Sequence, residues 1–128
     1  MKIIPSPQES LSLANELIRH AKNEILIILH SINGVMRTER AGGFRFLDEL
    51  VSKSVKVKVL TTMDYTNRGI LDNLKSNYPR IEFRSLQFSL PIFNRMIILD
   101  RAKTMIWEIK DDNKDNFIEA LGMAIYIE

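Results

Sequence analysis

Residues 90–100 contain the side chains with the clearest potential for chemistry, because a short polar approach leads there into an apolar strand that ends on an aspartate. Phe93 and Arg95 are two positions apart, so they project from the same side of that strand. The planar guanidinium of Arg95 suits a carboxylate or a phosphate, whereas the ring of Phe93 has no lone pair with which to attack phosphorus. Two interpretations follow. Arg95 binds an anion, or Phe93 packs in the core while Arg95 pairs with an acid such as Glu82 or Asp100.

Polar side chains also stand where the first two predicted strands end. His30 closes an aliphatic run, Thr62 closes a second strand, and Asp64 follows it. Ligands of open α/β sheets gather outside the carboxyl ends of the strands, and hydroxyl and carboxylate groups there suit a small polar ligand. The alternative is that His30 is a hydrogen-bonded structural residue and that Asp64 caps the following helix.

A polar segment over residues 31–43 separates the first strand from the next helix, and a loop of this length is usually functional or mobile. Ser31, Asn33 and Arg37 are its candidate ligand contacts. Gly42 and Gly43, just before the helix, would be able to present backbone N–H groups to an anion. The alternative is a flexible, solvated loop whose glycines only permit the turn. Nucleotide hydrolysis is not expected, because the Lys-Ser/Thr pair of a phosphate loop is missing.

The composition is that of an ordinary globular chain. Its 128 residues, 45% hydrophobic and 27% charged, suffice for one domain with its own core. The absence of cysteine excludes disulfides and thiolate metal sites, and no apolar run approaches the roughly 20 residues of a membrane-spanning helix. The net charge of +2, with basic residues scattered among acids, gives no argument for nucleic acid. We therefore expect a cytoplasmic location, with no cofactor, metal or membrane contact.

Hydrophobic periodicity and capping residues predict an α/β fold. Ser6, Pro7 and Glu9 mark a helix start. The aliphatic run 24–30 suits a strand covered on both faces, as in a parallel sheet between helices. The remaining predicted elements are a helix from residue 44, a strand over 55–62, a helix over 66–76, and strands over 81–86, 93–99, 104–109 and 121–128. The charge-rich segment 111–116 is expected to be a mobile loop. The predicted class is α/β, with a mixed, mainly parallel β-sheet flanked by helices.

Several local sequences, taken in order, resemble the phospholipase D-like superfamily along nearly the whole chain. Residues 21–27 resemble the first strand of that family, and residues 55–60 resemble its second. The segment that ends at Asp100 resembles the signature His-x-Lys-x4-Asp, but Phe93 stands in the place of the histidine and Arg95 in that of the lysine. The resemblance thus implies a phospholipase D-like half-domain whose nucleophile is lost.

Within the superfamily, the chain is most similar to non-catalytic branches, namely ligand-sensing domains of archaeal transcription regulators and of archaeal histidine kinases. The resemblance implies that residues 1–128 are a single domain, a fragment of a longer signalling protein. That domain would be a non-enzymatic sensor that binds a small polar or anionic ligand, acts as a homodimer and does not contact nucleic acid. The residues expected to bind the ligand are His30, Ser31, Asn33, Arg37, Thr62, Asp64 and Arg95.

Two alternatives stay open at this point. One is a residual phosphodiesterase or nuclease that uses His30 in place of the lost histidine. The other is a purely structural dimerisation module that associates through the apolar segment 86–93.

Overall fold

The computed structural model describes residues 1–62, 67–86 and 94–128. Asp64 and Phe93, both singled out in the sequence, lie outside these ranges. The described elements are β1 (Lys2–Ile4), α1 (Pro7–Arg19), β2 (Glu24–Leu29), α2 (Ile32–Arg40), α3 (Gly43–Val51), β3 (Lys56–Thr62), α4 (Arg68–Asn77), β4 (Glu82–Leu86), β5 (Asn94–Leu99), β6 (Lys103–Ile109), α5 (Phe117–Ala120) and β7 (Leu121–Ile127). None of the described helices is long and apolar enough to cross a bilayer.

The strands form one seven-stranded sheet in the order β1-β7-β6-β5-β2-β3-β4. The pairs β2–β3 and β3–β4 are parallel, whereas β1–β7, β7–β6, β6–β5 and β5–β2 are antiparallel. The predicted α/β class with a mixed sheet and flanking helices is therefore confirmed, but parallel pairs do not predominate in it. The reason lies in the connections, because β5, β6 and β7 follow one another without a helical crossover and pair antiparallel, whereas helices connect the neighbouring parallel strands β2, β3 and β4.

The described helices that contact the sheet pack on one of its faces. Trp107 of β6 donates a hydrogen bond of 2.8 Å from Nε1 to the hydroxyl of Ser10 in α1. The ring of Phe44 in α3 lies 5.4 Å from that of Phe83 in β4. Burial in β2 consequently alternates, with Ile25, Ile27 and Leu29 buried and the residues between them only half-buried. The expectation that this strand is covered on both faces is corrected accordingly.

Residues 32–40, expected to be a loop, form the helix α2 instead. The hydroxyl of Ser31 caps it by accepting a hydrogen bond of 3.1 Å from the N–H of Gly34. The sequence did not indicate this helix, because Gly34 disfavours a helix and the polar residues around it leave little apolar periodicity. Gly42, with φ +78°, then makes the left-handed turn into α3, a conformation that glycine adopts without strain.

The other predicted elements are present close to their expected bounds. Ser6 caps α1 as predicted, accepting a hydrogen bond of 3.3 Å from the N–H of Glu9. Asp100 and Arg101, with φ of 53° and 58°, form the tight turn between β5 and β6. The sequence did not indicate β1 or α5, which are only 3 and 4 residues long.

Candidate functional site

Arg95 lies in the interior, on the face of β5 that packs against the helices. It is 9% exposed, and its Nη1 donates a hydrogen bond of 3.0 Å to the hydroxyl oxygen of Thr38. Its guanidinium carbon lies 4.7 Å from the ring centre of Phe117 and 5.6 Å from that of Trp107. Burial, aided by the positive charge of Arg37, lowers the pKa of Arg95 to about 10. The fold therefore holds this cation against two aromatic rings.

Neither acid suggested as a partner for Arg95 forms an ion pair with it. Glu82 pairs at 3.0 Å with Arg84 on the surface. The carboxylate of Asp100 accepts hydrogen bonds of 2.8 to 2.9 Å from the three backbone N–H groups of residues 22–24. Burial raises the pKa of Asp100, but these donors outweigh burial and the net shift is downward. The one signature residue in register thus anchors the start of β2.

The structure brings His30, Ser31, Arg37 and Thr62 together where β2 and β3 end. The hydroxyl of Thr62 donates a hydrogen bond to the backbone carbonyl of His30. One carboxylate oxygen of Asp112 accepts hydrogen bonds of 3.1 Å from the hydroxyl of Ser31 and of 2.7 Å from Nη2 of Arg37. The side chain of Asp112 therefore forms the hydrogen bonds with Ser31 and Arg37 that the sequence analysis assigned to a ligand.

Arg37 also holds the segment 111–116, which the sequence predicted to be mobile. Its Nη1 donates hydrogen bonds of 2.9 Å to the carbonyl of Asp112 and 3.0 Å to that of Lys114. Arg37 is only 2% exposed. The expectation of a mobile loop is corrected, because a buried arginine fork binds its backbone and side chain together.

Little space remains among the predicted ligand residues. A void of about 10 Å³ lies between His30, Arg37 and Arg95, which is about the size of a single water. Asn33 is exposed on α2, away from buried groups. The binding role of these residues stays a prediction.

A second candidate site lies at the opposite end of the parallel strands. The register of the sheet places the first residues of β2, β3 and β4 beside the turn between β5 and β6. Seven basic residues occupy this end, which we call the basic edge: Lys22, Lys53, Lys56, Lys58, Arg80, Arg101 and Lys103. Tertiary structure thus gathers cations as far apart in the sequence as Lys22 and Lys103.

Only some charges of the basic edge are neutralised by nearby acids. Lys58 and Arg101 lie 3.8 and 3.6 Å from the carboxylate of Glu24, and Arg80 lies 2.9 Å from that of Asp48. Four exposed lysines form no ion pair within 4.0 Å in the described part of the chain: Lys22, Lys53, Lys56 and Lys103. The edge therefore carries a positive charge that is open to solvent.

Two grooves of about 450 and 370 Å³ run along the basic edge and share Ser54 and Lys56 in their walls. Arg80 lines the first groove and Arg101 the second. The basic residues of this edge are scattered along the sequence among acidic ones, so no run of basic residues indicated the site. The sequence feature that would have indicated the basic edge is a basic residue at or just before the start of successive strands, as at Lys22 and Lys56.

No family model and no curated protein matches this sequence, whereas solved structures resemble its fold. One is TrmBL2, described as an archaeal chromatin protein with a novel mode of DNA binding. It matches with a TM-score of 0.61 and 17% identity, over 99% of this chain and 44% of that one. Another is NucT from Helicobacter pylori, with a TM-score of 0.62 and 16% identity, over 98% of this chain and 82% of that one. This chain thus spans less than half the length of the chromatin protein.

The comparisons correct three predictions. A histidine-kinase type of sensor in signal transduction is wrong, because the similar structures are a DNA-binding chromatin protein and a nuclease. The prediction that the chain is not an enzyme is contradicted by the likeness to NucT, the nuclease. The prediction of no contact with nucleic acid is contradicted by the likeness to TrmBL2.

Other expectations stay predictions: the homodimer, the cytoplasmic location, and the status of residues 1–128 as one domain of a longer protein. The likeness itself, at this level of identity, concerns the fold. The two similar structures are of the phospholipase D-like kind and this chain shares their fold, whereas its membership of a degenerate, non-catalytic branch stays a prediction.

Proposed function

We propose that this chain is a nucleic-acid-binding domain whose basic edge holds the phosphate backbone. The observation that carries the proposal is the gathering of seven basic residues at one end of the sheet, four of which are exposed lysines that form no ion pair in the described part of the chain. Lysine and arginine that neutralise phosphates release condensed counterions, and this release supplies most of the affinity of non-specific binding.

The dimensions of the basic edge fit this role. Its cations are distributed from the start of β4 to the turn before β6, and five neighbouring strands about 4.8 Å apart span roughly 20 Å. A nucleic-acid strand presents one phosphate per roughly 3.4 Å of helix axis, so several phosphates face the edge at once. Contacts of this kind fix position and carry no sequence information of their own.

The fold comparison supports the same conclusion. A structure of this fold is described as an archaeal chromatin protein that binds DNA, and its likeness covers 99% of the present chain. That protein is more than twice as long as this chain, so the proposal concerns binding by this fold and leaves the parts of the longer protein aside.

Fluorescence anisotropy with a labelled duplex, repeated over a series of salt concentrations, tests the proposal. We expect affinity to fall linearly with the logarithm of salt, with a slope of about −0.9 for each phosphate contact. The double variant Lys53→Gln, Lys56→Gln is expected to lower that slope by about 1 to 2 in magnitude. The matched control is Lys110→Gln, Lys114→Gln, which removes two exposed lysines that follow the end of β6, opposite the basic edge. Equal losses in both variants, or no binding at about 50 mM salt, would refute the proposal.

A second candidate function is hydrolysis of phosphodiesters, which the likeness to NucT over 98% of this chain favours. His30 is the residue to examine, because it lies at the carboxyl end of β2 beside Arg37 and Arg95. A chromogenic phosphodiester provides the assay. Turnover by the wild type that disappears in His30→Ala would support catalysis, and turnover that is unchanged in His30→Ala would exclude this histidine as the nucleophile.

A further inference from the structure

A cavity of about 350 Å³ opens beneath α1 and the junction between α2 and α3. Arg95, Trp107 and Phe117 line it on the side of the sheet, and Arg19 lines it from the end of α1. Among the residues that the structure describes, the lining includes these two arginines but no aspartate, glutamate or histidine. Most of the other described lining residues are aliphatic or aromatic. The described lining therefore combines positive charge with apolar surface and contributes no acidic group to neutralise that charge.

Arg95 is the polar group around which this cavity is built. Its buried Nε has no hydrogen-bond partner among the described residues, while Nη1 donates to Thr38. The hydroxyl hydrogen of Thr38 is itself given to the carbonyl of Gly34 at 2.9 Å. Thr38 thus orients the guanidinium but leaves its charge uncompensated. A buried charge without a counter-ion is costly, so an anion that entered the cavity would find a prepared partner.

We propose that this cavity binds a small organic acid with an aromatic or aliphatic body, whose carboxylate meets Arg95. The guanidinium fork matches a carboxylate in geometry, and the volume lies in the range of small-molecule sites. The apolar walls suit the body of such a ligand. An organic acid is favoured over inorganic phosphate, because phosphate has no apolar body to contact the aliphatic and aromatic walls.

The cavity is independent of the basic edge. It lies under the helices, whereas the basic edge is the exposed amino end of the parallel strands, and the two share no lining residue. Failure of one proposal therefore leaves the other in place.

Trp107 is the only tryptophan of the chain, and its buried ring lies 5.6 Å from the guanidinium carbon of Arg95, so we expect its fluorescence to respond when an anion binds that guanidinium. We expect 3-phenylpropionate to change this fluorescence saturably. The corresponding amide, 3-phenylpropionamide, has nearly the same shape without the charge, and it should bind at least about tenfold more weakly because it cannot form charge-assisted hydrogen bonds. Inorganic phosphate should not displace the acid. Equal binding of acid and amide, no response to either, or displacement by phosphate would overturn the proposal.

Variants assign the binding to the arginine. Arg95→Met should weaken binding of 3-phenylpropionate by at least about tenfold, and Arg19→Gln at the exposed rim should weaken it by a smaller factor. Lys75→Gln, far from the cavity, serves as the control and should bind like the wild type. Unchanged binding by Arg95→Met would also overturn the proposal. If that variant does not fold, the comparison of acid and amide on the wild type still decides the matter.

Discussion

Arg95 is buried, and no carboxylate among the described residues forms an ion pair with it. The sequence pointed to this residue as a binder of anions, with Glu82 or Asp100 as the alternative partner. In the structure a threonine hydroxyl and two aromatic rings surround it instead. An arginine at this position indicated anion binding by its residue type alone. Its neighbours depended on which helix packs over β5.

Replacing Arg95 with methionine is expected to raise the free energy of unfolding by about 1–3 kcal/mol at neutral pH, because a buried unpaired charge gives way to an apolar chain. The folded pKa of about 10 lies below the ordinary 12.5, so the unfolded state binds more protons between these values. Wild-type stability therefore rises relative to the variant as pH passes through 10. Urea unfolding of both proteins at about pH 8 and about pH 10.5 measures this. A lower free energy of unfolding for Arg95→Met than for the wild type at about pH 8 would contradict the prediction.

Asp100 has a structural task that its position in the signature strand did not reveal. Asp100→Ala should lower the free energy of unfolding by about 2–4 kcal/mol, because three backbone N–H groups lose their acceptor and alanine disfavours φ 53°. Asp100→Asn, which tolerates that backbone conformation and keeps one acceptor, should lose less. Chemical denaturation at neutral pH compares the two, and equal stability of alanine variant and wild type would refute the role.

The lowered pKa of Asp100 adds a dependence on pH. The stabilisation is complete above the unfolded pKa of about 3.9 and is lost as pH falls through the lower folded value. The stability gap between the wild type and Asp100→Asn should therefore shrink below about pH 4. Thermal unfolding at a series of acidic pH values provides the measurement, and a gap that widens with acidification would contradict the assignment.

At the scale of elements, α2 organises the carboxyl end of the sheet. It presents Arg37 to the segment 111–116, while its cap Ser31 bonds to the same carboxylate of Asp112. The sequence interpreted both 31–43 and 111–116 as loops and had no means of relating them. In the structure, most of the first segment forms α2, and Arg37 of α2 binds the second segment.

Asp112→Ala is expected to release this segment and to destabilise the protein by about 2–3 kcal/mol, because Arg37 would stay buried without its partner. Hydrogen exchange of the amides over residues 110–117 should become faster. The control is Asp115→Asn, which removes a 3.5 Å ion pair with Arg40 on the exposed surface and should change little. Unaltered exchange in Asp112→Ala would show that other contacts hold the segment.

At the scale of the whole molecule, charge placement matters more than net charge. A value of +2 gave no reason to expect nucleic acid, yet the sheet brings seven basic residues to one end. Because the proposed contacts are to phosphates, we expect two duplexes of equal length and unrelated sequence to compete for the protein with affinities within a few-fold of each other. Competition anisotropy measures this, and a preference of several hundredfold would instead require contacts to base edges.

The sequence by itself determined the α/β class, most helices and strands, and the choice of Arg95 as a candidate anion-binding residue. These depend on helix caps, on hydrophobic periodicity and on residue chemistry. Local pattern carries that information because each element buries its own apolar face. Only the tertiary structure decided that antiparallel pairs predominate, that all contacting helices share one face of the sheet, and that Lys22, Lys56 and Lys103 meet at one edge. Strand order and register arise from contacts between residues far apart in the chain, and a pattern within a single segment contains nothing about them.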